Sequence, residues 1–86
     1  MRGPVTHRMH ARLSELAREY PDDPSAVARV EFYLRQGQHS CALTCLGSLR
    51  QKATLVSQVS TCYTLLLAIR AEEIRDMRNV IDRATA

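Results

Sequence analysis

Cys41 and Cys45 stand four residues apart, one turn of an α-helix, and His39 precedes them closely. Three soft ligands on such a spacing raise a zinc site. Structural zinc takes four ligands, usually in two separated pairs, and the only other cysteine, Cys62, would join the set only through a fortunate fold. Nucleophilic chemistry needs a thiolate, a positioned base and a third group to orient that base, and no such constellation is spaced along this chain. His7 and His10 belong to the N-terminal stretch. The residue types therefore predict packing roles for Cys41, Cys45 and Cys62, no catalytic residue, no metal and no cofactor. An odd number of cysteines is also a poor basis for a disulfide scaffold and fits reduced thiols.

Without a chemical centre, the information lies in the elements. The chain has 86 residues, 45% hydrophobic and 24% charged, enough for one small folded domain and too few for two. Three Gly, three Pro, one Phe and no Trp argue against a turn-rich β-barrel. The longest apolar run, Leu65 to Ile69, falls far short of the roughly 20 residues of a membrane span. The N-terminus lacks the apolar stretch of a secretory signal, so a cytoplasmic location is expected. The net charge of +3 is dispersed, with acidic residues set among the arginines as in Glu72-Glu73-Ile74-Arg75-Asp76. Holding phosphates needs clustering on one face, so no nucleic-acid partner is expected.

Apolar spacing predicts an all-α fold of four to five helices. Met9, Leu13, Leu16, Ala17 and Tyr20 mark one face of a helix over 6–19. Pro21 to Pro24 ends it, and Asp23 then fits as the N-cap of a helix over 24–36, with Pro24 at its first position. Ala26, Val27, Val30, Tyr33 and Leu34 line that helix until Gly37, which suits a left-handed helix end. A third helix over 38–50 carries Ala42, Cys45, Leu46 and Leu49. From Thr54 to Ala84 there is no Gly or Pro. A single helix there would span roughly 45 Å, long for so small a domain, so a break is predicted near Arg70-Ala71, giving helices over 53–69 and 71–84. Leu55, Val56, Val59, Cys62, Tyr63, Leu66 and Leu67 form one stripe; Ile74, Met77, Val80, Ile81 and Ala84 form another.

The segment from Arg29 to Leu46 has the parts of a tight helical hairpin: Tyr33 to fill the space between the helices, Gly37 at the turn, Ala42 where the backbones approach, Leu46 for the next layer. This pattern resembles the tetratricopeptide repeat, with Tyr33, Ala42 and Leu46 at the family's spacing. Ala26, Arg29 and Val30 stand where that family prefers Trp, Leu and Gly, and no proline closes the unit near Thr54. The stretches Glu31-Phe32-Tyr33-Leu34-Arg35-Gln36-Gly37, Ser40-Cys41-Ala42-Leu43 and Cys62-Tyr63-Thr64-Leu65-Leu66-Leu67 are further similar to the small tetratricopeptide-like co-chaperones of type III secretion needle subunits. That resemblance implies antiparallel helical hairpins and a non-enzymatic chaperone or adaptor. With a second small helical co-chaperone, it would hold the amphipathic C-terminal helix of a needle subunit in the cytoplasm and prevent premature polymerisation.

In such an architecture the first helix of each pair lines a concave face. The expected groove is Val27, Glu31, Leu34 and Arg35 from the second helix, with Thr61, Leu65, Ala68 and Ile69 from the fourth. Apolar anchors at helical spacing would dock there. Two other readings stand beside it. One is a helix-turn-helix DNA reader built on the second and third helices; Tyr33 occupies a place that motif usually gives to a small residue. The other is a homodimeric helical bundle.

Overall fold

The computed structural model describes residues 6–85. Four helices follow one another: α1 (His7–Glu19), α2 (Pro24–Arg35), α3 (His39–Gln51) and α4 (Val56–Thr85). Local chemistry accounts for each boundary. Thr6 Oγ1 accepts the Met9 backbone N–H at 3.2 Å and opens α1. Asp23 Oδ1 accepts the Ala26 N–H at 3.4 Å, with Pro24 starting α2 as the sequence predicts. The Asp23 carboxyl also receives Lys52 Nζ at 3.3 Å, which holds its pKa below the usual carboxylate range and ties the α1–α2 turn to the end of α3.

Helix α2 ends in a Schellman motif. Gln38 N–H reaches the Tyr33 carbonyl at 2.9 Å and Gly37 N–H the Leu34 carbonyl at 3.1 Å. Gly37 takes φ +74°, and a Cβ there would meet no neighbour within 4 Å, so its requirement is purely conformational. Gly47 sits inside α3 with equally open surroundings. The two glycines should therefore answer alanine with opposite signs. Gly37→Ala costs about 1 kcal/mol by forcing an L side chain into the left-handed region. Gly47→Ala gains about 0.5–1 kcal/mol by restricting the unfolded chain. Thermal melts should then place the two variants on opposite sides of the wild type, by roughly 4–8 °C per kcal/mol for a domain of this size.

The helices form a closed antiparallel ring: α1 packs on α2 and α4, and α3 on α2 and α4. Each helix gives three buried apolar side chains to the shared core: Met9, Leu13 and Leu16; Val27, Val30 and Leu34; Ala42, Leu46 and Leu49; Cys62, Leu65 and Ile69. At one end of the bundle, Gln58 fastens α4 to α1. Its Oε1 accepts the Leu55 N–H at 3.1 Å, as a glutamine three residues into a helix does, and its Nε2 donates to the Glu19 carbonyl at 2.9 Å.

Two expectations are corrected. The helices expected over 53–69 and 71–84 are one continuous α4 of 30 residues. Ala71 favours helix, and ion pairs three residues apart carry the turn through: Arg70 to Glu73 at 3.3 Å and Arg75 to Glu72 at 2.7 Å. The excess length is accommodated by overhang, for every residue from Met77 to Ala84 is exposed. The second correction concerns the concave face. Stacked repeats would set α4 against α2; here α4 packs on α1 and α3 and not on α2, and the inner faces of α2 and α4 both contribute to one shared core.

Candidate functional site

The groove residues read from the sequence fall into two sets. Leu34, Leu65 and Ile69 have no accessible surface and Val27 is 7% exposed, so they form core and cannot line an open trough. Thr61 is buried beside them and Ala68 is half-buried. Glu31 and Arg35 lie toward solvent and engage each other: Arg35 donates through Nη2 at 2.7 Å and Nε at 3.1 Å to Glu31 Oε2. Exposed pairs of this kind contribute little to stability.

The thiols are dispersed across burial classes: Cys41 is exposed, Cys45 half-buried and Cys62 buried. No three His, Cys, Asp or Glu side chains come together as a metal-binding group among the described residues. Cys62 takes part in a small buried polar contact, 3.6 Å from Tyr20 Oη, which donates to the Leu49 carbonyl at 2.8 Å. Burial pushes the Cys62 thiol up and, with the Cys62 contact second, raises the Tyr20 phenol as well. Both groups are held neutral, which suits a structural pin and disfavours a nucleophile.

The open apolar surface lies on the other side of α4. Val56, Val59, Tyr63 and Leu67 in its first half, and Ile74, Met77, Val80 and Ile81 in its second, are between 44% and 86% exposed. Val56, Ser60, Tyr63, Leu67, Arg70, Ile74, Met77 and Ile81 follow one another at alternating steps of four and three residues, the spacing of a coiled-coil seam. Ser60 and Arg70 are its polar members, and Arg70 is turned onto Glu73 of its own helix. The seam runs about 38 Å at the 1.5 Å rise of a helix. In its first half α4 is therefore apolar on two opposite faces, with Cys62, Leu65 and Ile69 facing inward. Beyond Asp76 the stripe continues on turns of α4 that are exposed at every residue through Ala84.

The stripe expected over Leu55, Val56, Val59, Cys62, Tyr63, Leu66 and Leu67 is divided: Cys62 is buried and Leu66 packs against the core, while Val56, Val59, Tyr63 and Leu67 are exposed, and Leu65 and Ile69, expected in a partner groove, are core. Both faces are comparably apolar, so hydropathy alone did not rank them. The faces differ in size, with Thr61 and Ala68 beside Leu65 and bulky Tyr63 and Leu67 opposite, but size does not by itself decide which of them packs inward. No described helix is long and apolar enough to cross a membrane. No protein-family model matches this chain, and no curated protein or solved structure matches it either.

Proposed function

We propose that this chain is a non-enzymatic chaperone or adaptor that holds an amphipathic helix of another protein against the outer face of α4. Following the likeness carried by Glu31–Gly37, Ser40–Leu43 and Cys62–Leu67, the cargo is a type III secretion needle subunit. It is held as a monomer in the cytoplasm with the help of a second small helical protein. The observation that carries the reading is the exposed stripe on α4, continued past the end of the bundle. Contiguous apolar surface of this extent marks an interaction site, and side chains at helical spacing favour a helical partner. The contact is a seam along one long helix; the enclosed groove expected between α2 and α4 is filled by the chain's own core.

Co-expression with a self-polymerising needle subunit tests the proposal. The expected result is a soluble stoichiometric complex in which the subunit stays monomeric. Tyr63→Asp or Met77→Asp should weaken it at least tenfold, about 1.4 kcal/mol or more. Polymerisation that proceeds undiminished in the presence of the wild-type chain, or a complex indifferent to both substitutions, rejects the reading.

A further inference from the structure

We propose that, without a partner, a second copy of this chain covers the stripe, the two α4 helices running antiparallel about a two-fold axis between Ala68 and Ile69. This goes beyond the partner reading and does not rest on it. The seam is symmetric about that point. In the antiparallel register Val56 faces Ile81 of the second copy, Tyr63 faces Ile74, and Leu67 faces Arg70. Ser60 then meets Met77, so each polar seam residue is set against an apolar one and never against itself. Val80 lies beside the seam and comes opposite Val59 of the other copy, which gives its exposed side chain a neighbour.

Charge chooses between orientations. A parallel pair would stack Arg70 directly on Arg70, a like-charge contact at the centre of the seam. The antiparallel pair displaces the two guanidinium groups along the axis, and each keeps its own Glu73 at 3.3 Å. Geometry agrees. The exposed half of each α4 is laid along the outer face of the other copy's bundle, and the two bundles sit at opposite ends on opposite sides. At the exposures found, the eight large side chains of the stripe leave on the order of 800 Å² open per copy, the share one partner contributes to a standard-size interface.

Sedimentation of the purified full-length chain, with circular dichroism to confirm helicity, tests this. The wild type should be a dimer at micromolar to tens of micromolar concentration. Tyr63→Lys alone and Ile74→Glu alone should each be monomeric with helicity retained, because both positions are more than half exposed. The double variant, Tyr63→Lys with Ile74→Glu, should dimerise again, since the antiparallel register sets lysine against glutamate twice. A monomeric wild type at 100 µM overturns the proposal, as does a dimer that survives both single substitutions. A double variant that stays monomeric overturns the antiparallel register. Adding the needle subunit separates the two readings: a monomeric wild type that still captures it removes only the dimer, and a dimer that never yields to it removes only the chaperone.

Discussion

Leu65→Ala should cost 2–5 kcal/mol of folding stability, and Tyr63→Ala, two residues away, about 0.5 kcal/mol or less when measured on the monomer. Leu65 is fully enclosed between α4 and its neighbours, so truncation removes the transfer free energy of its side chain and leaves a void that a rigid four-helix ring closes poorly. Tyr63 is 56% exposed and contributes little to the core. A domain of this size has a total stability on the order of 5–10 kcal/mol, so the first change removes a large fraction of it. Urea unfolding below the dimerisation range should show a shifted midpoint with unchanged slope for Leu65→Ala and a curve close to wild type for Tyr63→Ala. Equal costs at the two positions would mean that Leu65 does not face the core of the bundle. The same contrast decides how partner binding should be probed. A charge at Leu65 abolishes capture by unfolding the protein, whereas a charge at Met77 or Tyr63 acts on the surface alone.

What could be read from the sequence was local. Asp23 with Pro24, and Gly37 after the last turn of α2, announce helix ends through chemistry confined to a few residues, and the structure has both. The core faces of α1 and α3 were legible for a similar reason, through Met9, Leu13 and Leu16 and through Ala42, Leu46 and Leu49, whereas on α2 the apolar face was found but Val27 and Leu34 were given to a groove and lie in the core. Helix α4 departs from the local pattern in two respects. Its continuity depended on whether a roughly 45 Å rod fits a small domain, and compactness misleads when the last turns of the rod, Met77 to Ala84, overhang the bundle. Its inward face depended on a choice between two apolar sides. That choice is made by the packing of α4 on α1 and α3, a tertiary fact that no window of sequence contains. Glu72 hid the answer further. It lies on the inward face and is 8% exposed, its carboxylate held by Arg75 at 2.7 Å, so a charged residue marks the end of the core face where the pattern would place solvent. The groove assigned to Leu34, Leu65 and Ile69 followed from imposing an open repeat stack on a ring that closes.

The second large effect is expected at Tyr20, where three helices are pinned by one side chain. Its ring is 7% exposed at the end of α1, and its hydroxyl donates to the Leu49 carbonyl at the end of α3 while touching Cys62 of α4. Tyr20→Ala should cost about 3–5 kcal/mol, as loss of a buried aromatic does. Tyr20→Phe isolates the hydroxyl. The Leu49 carbonyl keeps a second donor, the Lys52 N–H at 3.0 Å, so it is not orphaned and the cost should fall near 1 kcal/mol. A pH signature should accompany it. The folded state raises the phenol above its ordinary pKa, chiefly by desolvation, so the unfolded chain releases this proton first. Above about pH 10 the unfolded state therefore binds fewer protons than the native one, and stability falls with rising pH by up to about 1.4 kcal/mol per unit. Below that value the contribution is fully present. Tyr20→Phe should be less stable than wild type at pH 8, and the gap should narrow between pH 10 and 11 because the variant has no phenol to titrate at this position. A gap that stays constant across that range would place the Tyr20 hydroxyl in water, and with it would go the pin that holds the ends of α1 and α3 against α4.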